Sequence, residues 1–150
     1  MKFGHFLALP LLLLCVFLYG CTDGAGSDLN ALVQRYSALE GSAELTAEAF
    51  FIDDGQNCAR SFIPCDTGRE VFVQAQFDSD RNIVTLDAVY PSSDEMSTAI
   101  RILCAYSADD AQTVEDILTG ADAVRQSEKA EYAVTVTELG TVVTCSVLIR

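Results

Sequence analysis

The chain has 150 residues, half of them hydrophobic, with 22 acidic and nine basic side chains, a net charge of −13 and no tryptophan. All the acidic residues and all but one of the basic ones follow residue 21, so the body of the chain repels phosphate backbones, and charge excludes nucleic acid as a partner. The single histidine, His5, lies in the apolar opening, which leaves the rest of the chain without imidazole for Ser-His or Cys-His nucleophile pairs or for the usual zinc sites.

Lys2 precedes an apolar run from Phe6 to Leu18 that only Pro10 interrupts. The run is too short for a hydrocarbon core of ~30 Å and suits the h-region of a secretory signal. Leu18-Tyr19-Gly20-Cys21 follows it and resembles the lipobox of bacterial lipoproteins: a Leu three residues before the Cys and a small residue just before it. Tyr19 departs from the small or branched residue that is commoner there. The resemblance implies that residues 1–20 are a lipoprotein signal peptide and that Cys21 takes a thioether-linked diacylglycerol, often with a further palmitate-type acyl chain. The mature protein would then sit on the extracytoplasmic face of a bacterial cell membrane or outer membrane, anchored without spanning it. Residues 21–27 become the lipidated Cys and a short tether, and residues 28–150 one α+β domain. The six tether residues after the Cys reach at most about 20 Å.

Beyond the tether, Ser27 or Asp28 can cap a helix whose apolar stripe is Leu29, Leu32, Val33, Tyr36 and Leu39, with Gly41 as its stop. In Ala43 to Asp53 the alternation predicts a strand, with Leu45, Ala47, Ala49 and Phe51 facing in and Phe50 and Ile52 facing out. Asp54 to Gly68 reads as an irregular connection holding Cys58, Pro64 and Cys65. Glu70 to Asp78 and Ile83 to Tyr90 form a hairpin, with Phe77 opposite Val84 and Val73 opposite Ala88. After Pro91, a helix presents Met96, Ala99, Ile100, Leu103 and Cys104, and a third starts near Asp109 and ends near Gly120. A polar link over 121–128 leads to a second hairpin, Ala130 to Glu138 and Thr141 to Ile149, with Val134 opposite Cys145. The expected order is α-β-β-β-α-α-β-β: a mainly antiparallel five-stranded sheet with helices packed on one face.

Four cysteines remain beside Cys21, and an even number in an exported chain reads as disulfides. Of three connectivities, Cys58–Cys65 as a local staple and Cys104–Cys145 across helix and sheet are the economical pair. On the uncovered sheet face Phe50, Ile52, Phe72, Ile83 and Val89 form the candidate binding surface, with Val142 and Leu148 beside them.

Candidate chemistry is thin. Asp78-Ser79-Asp80-Arg81-Asn82 imitates half a calcium loop but has Ile83 and Val89 where the Gly and the bidentate Glu belong. Asp53-Asp54 and Asp109-Asp110 read as turn and helix-start acids, and Lys129 near Ser127 as a solvated lysine. No catalytic residue, metal or cofactor is therefore expected. The expected function is a non-catalytic, lipid-anchored protein that binds a protein or envelope component. Leu29 to Phe51, an amphipathic helix entering a strand, resembles the opening of LolA-like lipoprotein carriers, which implies the alternative of a carrier for a lipid or small hydrophobic ligand. A carboxylate-based hydrolase is the third reading.

Overall fold

A computed structural model describes residues 28–120 and 123–148; the expected lipobox and tether lie outside them. Asp28 caps helix α1 (Leu29–Ser37), its carboxylate accepting the Ala31 amide at 2.9 Å. Leu29, Leu32 and Tyr36 are the buried stripe of that helix. The long strand expected after it is instead a 3-10 turn (Ala47–Ala49) and a three-residue strand β1 (Phe51–Asp53). The expected loop contains strand β2 (Cys58–Pro64). Strands β3 (Glu70–Phe77) and β4 (Ile83–Tyr90) follow as the hairpin. A capping box between Ser92 and Glu95 opens helix α2 (Met96–Ser107) through a 3-10 turn, and Asp110 caps helix α3 (Ala111–Leu118). Strands β5 (Ala123–Gln126), β6 (Ala130–Thr137) and β7 (Gly140–Val147) complete the fold.

All seven strands form one antiparallel sheet in the order β1-β2-β3-β4-β7-β6-β5. The expected five-stranded sheet and its order are thus corrected to seven strands in the order α-β-β-β-β-α-α-β-β-β. The two unforeseen strands have weak patterns for identifiable reasons. In β2 the inward residues Ala59 and Ser61 are small and only Ile63 is strongly apolar. In β5, an edge strand, Ala-Val-Arg-Gln alternates between half-buried and exposed and offers no large apolar inward side chain, its inward Arg125 donating instead to the Asp116 and Ile117 carbonyls of α3.

Helix α2 packs on β4 and β7, with α1 and α3 at its sides, so one face of the sheet is covered. Leu32, Tyr36, Ile63, Leu86, Ile102, Leu103, Tyr106 and Tyr132 are fully buried in the intervening core. Side chains of this size each contribute roughly 1.5–3 kcal/mol on burial. Among the described residues no helix is long and apolar enough to cross a membrane.

Two registers differ from expectation. In the β3–β4 hairpin a bulge sets Phe77 opposite Ile83 rather than Val84. The extra residue reverses which side chain points inward: Ile83 is buried and Val84 exposed. The Tyr106 hydroxyl fixes the bulge by donating to the Ile83 carbonyl at 3.1 Å. In the β6–β7 hairpin the turn is Glu138-Leu139, so Val134 meets Val143 and Tyr132 meets Cys145. The whole pairing has slid by two residues, which leaves each residue on the same face of the sheet because the pleat repeats every two, although Val136 at the turn end is exposed. Gly140 makes this turn feasible: its φ is +136°, and a Cβ there would lie 2.4 Å from the Tyr90 carbonyl oxygen.

The cysteines also need correction. Cys58, Cys65, Cys104 and Cys145 are all free thiols. Cys58 starts β2 and Cys65 follows its last residue, a separation of roughly 23 Å along an extended strand, whereas a disulfide needs Cα atoms closer than about 7 Å. A Cys58–Cys65 bridge is therefore geometrically excluded. Cys104 and Cys145 do both enter the core, as free thiols.

Candidate functional site

The uncovered face of the sheet is built by alternation. In β3, Val71, Val73, Ala75 and Phe77 go into the core, so Phe72, Gln74 and Gln76 face away. Carrying the register across the sheet, Phe62 pairs with Phe72, Phe72 with Val89, and Val89 with Val142. Four neighbouring strands thus contribute one continuous apolar row to the open face. The Phe62 and Phe72 rings pack tilted at 57°, with centroids 5.3 Å apart, and Phe62 is 60% exposed.

The next row is polar and internally satisfied. Arg60 donates to Gln74 at 2.7 Å, and Thr144 donates to Asp87 at 2.6 Å. Arg60 also lies 3.8 Å from Asp53. These pairings satisfy the polar row internally, and Arg60 offsets Asp53, in a molecule that is otherwise strongly acidic. A partly exposed apolar row edged by satisfied polar groups has the make-up of a docking surface.

Of the five residues expected on this face, Phe72 and Val89 are there, adjacent and paired. Phe50 is only 5% exposed and belongs to the core. Ile83 is 2% exposed, turned inward by the bulge. Ile52 pairs with the core residue Ala59 and so lies on the helix side, at the sheet edge, 48% exposed. The alternation expected for 43–53 fails because the 3-10 turn at Ala47–Ala49 resets the phase, and Phe51 takes the outward place. Phe62 was missed with its strand; its place between the inward residues Ser61 and Ile63 is the signal that could have revealed it. Because Phe50 and Ile52 share no face with Phe72, the three do not line a common cavity of the kind a carrier would need.

The side chains capable of chemistry are engaged locally. Asp53 accepts the amides of Gly55 and Gln56 at 3.1 and 3.2 Å, and Asp54 pairs with Arg81. Asp78 accepts the amides of Asp80 and Asn82, both at 2.9 Å, which holds its carboxyl below the usual range; its oxygens serve the turn itself. Asp110 accepts the Thr113 amide at 2.9 Å as the cap of α3. Among the described residues no cluster of His, Cys, Asp and Glu could hold a metal ion.

The most developed polar cluster borders an open cleft of about 670 Å³ between the start of α3 and the β5–β6 turn. Ser127 donates to Asp109 at 2.6 Å and accepts the amides of Lys129 and Ala130 at 3.0 and 2.9 Å. Burial pushes the Tyr132 hydroxyl up, so it stays protonated and donates to the same Asp109 oxygen at 2.7 Å. The Lys129 ammonium bonds the Ala108 carbonyl, where α2 ends in a left-handed residue. The Ser127 proton and lone pairs are thus committed, and Lys129 is directed at a carbonyl. A Ser-Lys nucleophile is not assembled; the cluster locks a helix end to a strand turn.

No family model, no curated protein and no solved structure matches this chain.

Proposed function

We propose that the mature chain is a membrane-anchored, extracytoplasmic, non-catalytic binding module that engages a protein or envelope component through the uncovered face of its sheet. The observation that carries this reading is the four-strand row Phe62, Phe72, Val89 and Val142, apolar and uncovered beside a hydrogen-bonded polar row. The commitment of Asp109, Ser127 and Lys129 to internal hydrogen bonds supports the absence of catalysis. The residues Leu18 to Cys21 support the anchor.

Site-specific photocrosslinking in cells tests the face. A crosslinker replacing Phe62 or Val142 should give a discrete adduct, and one replacing Glu115, which is exposed on helix α3 at the covered side of the sheet, should give none. Equal adducts from all three positions, or none from the face, would sink the reading. Fractionation tests the anchor separately, since Cys21→Ser should release the chain from membranes.

A further inference from the structure

Asp28 is the first residue after the tether, and it lines a pocket of about 360 Å³ with Ile52, Phe77 and Arg81. The Arg81 guanidinium also pairs with Asp54 and lies 5.8 Å from the centre of the Phe77 ring. These contacts gather the chain entry, the β1–β2 turn and the β3–β4 turn at one end of the sheet. Phe72 is five residues along β3 from Phe77, about 17 Å at the rise of an extended strand. The apolar row therefore lies toward the end of the sheet away from the chain entry.

Carboxylates border the row at both ends. Asp53, Asp54, Asp78 and Asp80 lie in the turns at the entry end. Asp66, Glu70 and Glu138 lie exposed at the other. Laying the open face on an anionic bilayer would press both sets against like-charged headgroups, whereas a domain standing on its entry end brings only the first set near them, where Asp53 and Asp54 are offset by Arg60 and Arg81. A protein surface with an apolar centre and a Lys/Arg rim meets the same face with attraction at its edge.

We propose that the anchor holds the domain on end, with the Asp53–Asp54 and Asp78–Asp80 turns toward the headgroups and the Phe62–Val142 row directed away, so that the row receives a basic-rimmed protein surface and not lipid. This rests on the anchored reading of Cys21. A short tether ending beside the β3–β4 turn brings that turn down first, and the row stays a strand's length above it.

The absence of tryptophan makes single-tryptophan variants a clean probe. The full chain is expressed, purified with its lipid and reconstituted in phosphatidylethanolamine vesicles with a minority of phosphatidylglycerol and dansyl-labelled headgroups. Transfer to dansyl should be at least about twofold greater from Ser79→Trp than from Phe62→Trp, given the strand length that separates them. Emission from Phe62→Trp should not shift to the blue on vesicle binding. Equal or reversed transfer, or a blue shift, overturns the orientation and makes the bilayer the occupant of the row. If the unsubstituted chain binds vesicles no better than Cys21→Ser, the anchor itself is wrong and the orientation falls with it.

Discussion

Glu95 is fully enclosed, and among the described residues it is the only charged side chain buried in this way. The Ser92 hydroxyl donates to it at 2.6 Å, Thr67 donates at 3.0 Å, and the Arg69 guanidinium stands 4.0 Å away. These partners, Ser92 foremost, hold the carboxyl below the usual carboxylate range. A group with a depressed folded pKa stabilises fully above its unfolded value, roughly 4.3 for Glu, and the contribution vanishes as pH falls through the folded value. Glu95→Gln should lower the urea midpoint at pH 7 and flatten the acid side of the stability profile; an unchanged profile would show that Glu95 does not titrate with folding. The thiols give a second test. Burial pushes Cys104 up to about 11 and Cys145 higher still, and Cys58 is closed to solvent. A thiol reagent at neutral pH should therefore label Cys65 first, and the other three only on unfolding. Gly140→Ala should cost on the order of 1–3 kcal/mol, from a positive φ and a clash with the β4 carbonyl, read as a shifted urea midpoint.

Helix α2 and strand β4 are joined through one buried hydroxyl, that of Tyr106 on the Ile83 carbonyl. Tyr106→Phe should lose about 1 kcal/mol, the usual worth of an intramolecular hydrogen bond. Proton exchange should quicken at the bulge more than at the β6–β7 turn. Elements of this kind show what the sequence alone discloses. Three helices and both hairpins were legible, because Leu29/Leu32/Tyr36 and Val71/Val73/Ala75 repeat at helical and strand periods. Strands β2 and β5 were not, since their inward residues are mostly small or polar and their pairing comes from neighbours. The bulge was invisible because nothing local marks Ile83 rather than Val84 as the inward residue; Tyr106, far along the chain, decides it. The β6–β7 slide was invisible because registers two residues apart bury the same face. The open face was therefore half legible: Phe72 and Val89 were found, while Phe50, Ile52 and Ile83 were misplaced by a reset phase or an extra residue.

The acidic excess acts on the molecule as a whole. With 22 acids against nine bases, the folded state carries like-charge repulsion that salt relieves. Raising ionic strength from about 0.01 to 0.15 M shortens the screening length from roughly 30 to 8 Å, and the melting temperature should rise with it. A melting temperature that falls would mean the few ion pairs outweigh the repulsion. The order of the sheet has a consequence in time as well. An interior strand, β7 between β4 and β6, is the latest of the seven to be synthesised. Until residues 140–147 emerge, the β1–β4 meander and the β5–β6 hairpin are two separate pieces, each with an open edge and no shared core. Their closure requires a contact between distant parts of the chain, the slowest kind to form. A polypeptide arranged in this way joins its two halves into one sheet only after its last strand has emerged.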